Sequence, residues 1–239
     1  MNNKIYTLTT CVNFSDMLDI SMDFNRNIFG NNMVIVTTKE DTNTQEICKK
    51  YDQICIISNR CYDNGATFNK GKMLNDGLDY IYNTKNNNDW TLLIDSDIIV
   101  NPDLMTFEFS GLDPETIYGC YRAMIKSEND LISYLTKYEL NFRQSIIEYP
   151  ESDRTNFRDI IGYFQLFNKQ YYHEENHDGA DLIDLYFSQL FDNRINLGIH
   201  CLHIGERDNN WLGRKSRKFI KTKELETVIR GVWTHNETN

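Results

Sequence analysis

The sequence predicts an α/β fold with a mainly parallel central sheet flanked by helices. Short β-branched, apolar runs recur through the first half of the chain, and each is followed by a segment with apolar residues at helical spacing. Strands alternating with helices in this way build βαβ units. In such sheets ligands bind at the carboxyl ends of the strands.

Residues 5–10 read as the first buried strand. Residues 14–29 carry Met17, Ile20, Phe24 and Ile28 at helical spacing, with Ser15 or Asp16 as cap. Residues 33–38 form the second strand. A short helix opened by Thr42 or Thr44 runs through Cys48, and residues 54–58 form the third strand. Residues 69–82 make a helix with Met73, Leu74, Leu78 and Ile81 on one face, and residues 91–94 a fourth strand. The second half is less regular: a helix over 131–147, a strand over 160–167, a helix over 180–191 and a strand over 197–204. No internal repeat is visible. A soft division at Asn101-Pro102 splits one continuous domain, 1–239, into halves 1–101 and 102–239.

Composition narrows the function classes. The 239 residues carry a formal charge of −10, which disfavours nucleic acid as a partner because phosphate recognition needs a basic face. One basic cluster, residues 214–223, could meet a pyrophosphate or a peripheral anionic membrane, or be a solvated face. With 3 prolines and 12 glycines there is no sign of a long linker. No apolar run is long enough to span a bilayer. The start of the chain lacks a signal-like apolar region. Cys11, Cys48, Cys55, Cys61, Cys120 and Cys201 contain no Cys-x-x-Cys pair, and several lie in apolar runs. They read as reduced, buried thiols in a cytoplasmic protein.

The sharpest chemical feature lies in the run from Leu92 to Val100, where Asp95 and Asp97 interrupt continuous apolar sequence around Ser96. Burying unpaired carboxylates is costly, and a metal removes that cost. On extended backbone, residues two apart face the same side, so both could meet one cation. Oxygen ligands suit Mn²⁺ or Mg²⁺. The competing reading is an exposed loop between strands. Upstream, Gly71 allows close backbone approach, a helix start offers N–H groups to an anion, and Lys70 or Lys72 adds charge. An ordinary capped helix is the alternative. Other site types find no support: there is no phosphate-binding Gly-rich loop and no nucleophile elbow.

Phe68-Asn69-Lys70-Gly71-Lys72-Met73-Leu74-Asn75 followed by Asp95-Ser96-Asp97 resembles the GT-A glycosyltransferases, particularly the family 2-like group. The resemblance spans most of the chain. It implies that residues 1–101 bind a nucleoside-diphosphate sugar, a UDP sugar above all, and that residues 102–239 bind a glycan or glycoconjugate acceptor. It places Thr9, Thr38 and Asp41 around base and ribose, Asn69 to Lys72 beside the nucleotide, and Asp95, Ser96 and Asp97 at the metal and diphosphate. The segment from Gly162 to Phe167, then Asp178 to Phe187, is similar to the strand and acidic helix start that supply the base in inverting members. Asp184 is the first choice and Asp181 the second; capping by Asp178 or Asp181 is the alternative. A late His in several such enzymes is a third metal ligand, a position matched by His203 better than by His200. Trp211 could stack on sugar, and Arg214 or Lys215 could meet the diphosphate; ordinary packing competes for Trp211. A retaining transferase on the same fold and a non-catalytic glycan-binding protein are the competing functions.

Overall fold

The computed structural model describes residues 4–138, 160, 162–176, 178–180, 182–205 and 214–236. Its strands are β1 (Ile5–Thr10), β2 (Met33–Thr37), β3 (Ile54–Ile57), β4 (Trp90–Ile94), β5 (Ile98–Ile99), β6 (Thr116–Ile125), β7 (Phe164–Phe167) and β8 (Asn193–Ile204). They form one 8-stranded sheet in the order β3-β2-β1-β4-β7-β6-β8-β5. The β1–β2, β2–β3 and β1–β4 pairs are parallel, as is β6–β8; β4–β7, β6–β7 and β5–β8 are antiparallel. The sheet is therefore mixed, with its parallel block at the amino-terminal side.

The helices are α1 (Ser15–Phe29), α2 (Thr42–Lys50), α3 (Lys70–Thr84), α4 (Glu128–Tyr138), α5 (Ile183–Ser188) and α6 (Lys223–Asn236). Alternation along the strands divides the core. Leu8, Val34 and Val36 pack with Met73, Leu74, Leu78 and Ile81 of α3. Ile35, Leu92 and Ile94 share a second cluster with Leu18 and Met22 of α1 and Cys48 of α2. A third joins Met17, Ile20 and Phe24 of α1 to Leu131 and Tyr134 of α4 and Leu225 and Ile229 of α6.

Several expectations change. The α1 N-cap is Phe14, with no side-chain cap bond, because Asp16 is turned to Arg214 instead of Ser15 or Asp16 capping the helix. The α2 cap is Asp41, whose carboxylate accepts from the Thr44 amide. The predicted helix over 180–191 is the six-residue α5. Of the predicted helix over 131–147, α4 contains the first residues and 139–147 lie outside the described set. Strands β5 and β6 and helix α6 were not anticipated.

Candidate active site at the carboxyl ends of the strands

The sheet order reverses at β1, with β2 on one side and β4 on the other, so the crevice beyond the carboxyl ends of β1 and β4 is a topological switch point. Asp95 follows β4 directly. Residues 95–97 are a tight turn and not extended chain: the Ile98 amide donates to the Asp95 carbonyl at 3.2 Å. The two carboxylates accordingly find different partners.

Asp95 Oδ1 receives Lys70 Nζ at 3.0 Å, and the same ammonium donates to Asp184 Oδ2 at 3.0 Å. Lys70 sits at the first turn of α3 and is almost wholly buried, while the Asp95 side chain keeps 37% exposure. Burial works against the Lys70 charge, but Asp184 and Asp95 outweigh it and its pKa is raised, so the ammonium stays protonated. For Asp184, burial pushes the pKa up, Lys70 opposes it, and the Asp95 charge adds to the rise; the net shift is upward. That is the direction a general base requires.

Asp97 turns toward β8. Pairing of Ile98 with His203 sets the register, and the Ile204 amide donates to the Asp97 carbonyl at 2.9 Å. Asp97 Oδ2 and His203 Nε2 are 3.2 Å apart. Arg122 Nη1 lies 3.2 Å from His203 Nδ1. A guanidinium can only donate, so Nδ1 accepts and Nε2–H donates to Asp97. Asp97 Oδ1 is buried with no hydrogen-bond partner. A carboxylate oxygen withdrawn from water with nothing to hold it fits a cation, and carboxylates suit Mn²⁺ or Mg²⁺, whereas both nitrogens of the His203 ring are already engaged, by Arg122 and by Asp97. Among the described residues no group of three or more His, Cys, Asp or Glu side chains is already gathered around a metal position.

The remaining candidates have the following places. Thr9 and Thr38 are buried at the exits of β1 and β2. The Asp41 carboxylate accepts from the Asn13 amide, the Thr44 amide and the Thr44 hydroxyl, so it holds loop and helix together. Asn69 caps α3 through the Lys72 amide and donates to the Glu175 carbonyl. A Cβ on Gly71 would lie 2.3 Å from the Glu174 carbonyl oxygen, so the backbone that comes close there is the chain's own. Lys72 pairs with Asp63 at 3.0 Å. Ser96 is buried, and its carbonyl accepts from Ser21. Arg214 has Nε on Ser216 O, Nη1 on Asn13 O and Asp16, and Nη2 on Asp16 and Arg217 O, which uses all of its N–H groups and leaves none for a diphosphate. Asp181 and Trp211 lie outside the described residues.

Sequence reasoning did not single out Arg122 or Gln165. Each is a lone polar residue inside an apolar strand, in Thr116–Ile125 and Phe164–Phe167, and that was the available signal.

The parallel amino-terminal block and the sheet order give the GT-A fold, which the chain shares with solved structures. No protein-family profile and no curated protein sequence matches the chain. Among solved structures, glucosyl-3-phosphoglycerate synthase from Mycobacterium tuberculosis in complex with phosphoglyceric acid aligns at TM-score 0.50 and 13% identity, over 98% of this chain and 80% of that one. The same enzyme with Mn²⁺, UDP-glucose and phosphoglyceric acid aligns at TM-score 0.49 and 12% identity, over 99% and 79%.

Proposed function

We propose that this protein is a metal-dependent glycosyltransferase that moves a sugar from a nucleoside-diphosphate sugar, a UDP sugar, to a hydroxyl of a glycan or small acceptor with inversion. The observation that carries the reading is the unpartnered Oδ1 of buried Asp97 beside His203, at the switch-point crevice. Asp97, with Asp95, would hold Mn²⁺ or Mg²⁺, which would supply positive charge to the departing diphosphate, and His203 would join them by giving up its bond to Asp97 for the metal. Lys70, fixed between Asp95 and Asp184, adds a second positive charge at the same place. Asp184, buried and with its pKa raised, takes the proton of the attacking hydroxyl. The donor-binding half is 1–101 and the acceptor-binding half 102–239 of one domain.

The test is a panel of nucleotide sugars with and without Mn²⁺, read first by melting temperature and calorimetry, because a ligand that binds the native state raises the melting temperature. Acceptors in the turnover assay include simple glycans and, from the fold neighbour, phosphoglyceric acid. A UDP sugar with Mn²⁺ is expected to bind, and Asp97→Ala to weaken that binding by about 100-fold or more, the upper range for losing even a supporting residue at a metal. The anomeric configuration of the product separates inversion from retention. No donor binding to the wild type would overturn the reading.

A further inference from the structure

Gln165 is a polar side chain with 0% exposure in the middle of the sheet, on β7 between β4 and β6. Its amide nitrogen donates to the Ile160 carbonyl at 2.9 Å and to the Asp184 carbonyl at 2.8 Å. Two carbonyl partners fix which end of the amide is nitrogen. Its Oε1 is buried with no hydrogen-bond partner. The cost of that orphan oxygen offsets much of what the two bonds contribute to stability. The two bonds it makes therefore need a reason other than stability.

That reason lies in what the two bonds join. Ile160 leads into Gly162, and Gly162 abuts the candidate base so closely that a Cβ there would lie 1.7 Å from Asp184 Oδ2. Asp184 itself is in the first turn of α5, a six-residue helix preceded by Leu182 at φ 57° with no side-chain cap. So short a helix does not hold its own direction. Phe187 anchors its far end in the core. Gln165 anchors its beginning, and in the same stroke holds the strand approach that walls the carboxylate.

We propose that Gln165 is a positioning residue: its amide ties together the two chain segments that meet at Asp184 and so sets the direction in which that carboxylate faces. This rests on the glycosyltransferase reading above. The test compares wild type, Gln165→Met and Gly162→Ala. Gln165→Met keeps the length and removes both bonds and the orphan oxygen. It is expected to stay folded at the assay temperature and to bind UDP sugar with Mn²⁺ within about 2-fold of wild type, while turnover falls by about 10²-fold, the lower end of what one proton-transfer group contributes. Its pH–rate profile should shift, and amide hydrogen exchange over 183–188 should quicken. Gly162→Ala, which displaces the carboxylate with Gln165 intact, should show the same loss of turnover and altered pH profile without the faster exchange. Unchanged turnover or exchange in Gln165→Met, with an active wild type, overturns this inference alone. So does a loss of turnover matched by an equal loss of donor binding and melting temperature, which marks a merely structural role. A wild type that neither binds nor turns over any donor overturns the glycosyltransferase reading and this inference with it.

Discussion

The ring of His173 lies out of water, stacked on Phe187 with centroids 4.0 Å apart and 12° between planes. Its amide donates to Asn75 Oδ1 at 2.8 Å, and its carbonyl accepts from Asn75 Nδ2 at 3.0 Å. Burial, with a smaller push from the Lys70 charge, lowers its pKa from 6.5 to about 3. The folded state therefore holds this histidine neutral, while the unfolded chain takes up a proton below 6.5. Stability is fully present above pH 6.5 and is lost as pH falls toward 3, at about 1.4 kcal/mol per pH unit. His173→Phe, which preserves the stack, should flatten the fall in melting temperature between pH 6.5 and 5. A wild type and variant that lose stability in parallel over that interval would contradict this. The same residue shows what a sequence leaves unread. A lone histidine in 170–176 carries no pattern, and its depressed pKa comes from burial and from the charge of Lys70, which is distant in the chain.

Among the elements, α3 links the site to the segment 173–175. Its first turn supplies Lys70, its cap Asn69 holds the Glu175 carbonyl, and Asn75 and the Arg60–Glu175 pair fasten 173–175 alongside it. Gly71 is where that contact is tightest. Gly71→Ala should push α3 and the 174 carbonyl apart and lower stability by about 1–3 kcal/mol, as for overpacking elsewhere. Gly231→Ala in α6 meets nothing within 4 Å and should instead gain up to about 1 kcal/mol from helix propensity. Chemical denaturation of the two variants separates steric from intrinsic effects, and equal shifts would refute the packing argument. The βα block through β4 was legible in the sequence because its strands are short runs rich in apolar and β-branched residues and its helices keep an apolar face. Strand β6 was not: Gly119, Tyr121 and Arg122 interrupt its pattern, and a register irregularity between Gly119 and Tyr121 breaks the alternation. Strand β5, two residues long, is too short to have a pattern. The Asp95–Asp97 motif was legible, but its local geometry was not, since the turn at Asp95 separates the two carboxylates.

At the scale of the molecule, charge is arranged differently from its appearance along the chain. The basic stretch near 214–223 looks like an anion site in sequence. In the fold Arg214 pairs with Asp16, Arg217 with Glu128, and Lys221 with Asp19 and Asp23. Arg214, Arg217 and Lys221 are thus neutralised by α1 and α4, in a chain whose net charge is −10. No helix among the described residues is long and apolar enough to cross a membrane. The protein should not sediment with anionic vesicles or shift duplex DNA at about 0.15 M salt, where exposed charges are screened beyond roughly 8 Å. Co-sedimentation abolished by Lys215→Glu would show that a cation in this stretch is available after all.

The bond between Arg214 and Asp16 also has a consequence in time. The two residues are 198 positions apart in the chain. A ribosome adding about 5–20 residues per second would leave Asp16 waiting some 10–40 s for its partner. Helix α1 can dock on the early strands during that interval through Leu18 and Met22, with Asp19 held by Lys50 and Tyr51, but Asp16 waits until Arg214 and Phe219 are delivered. Arg214 also ties the segment after β1, through the Asn13 carbonyl, to a part of the chain made much later.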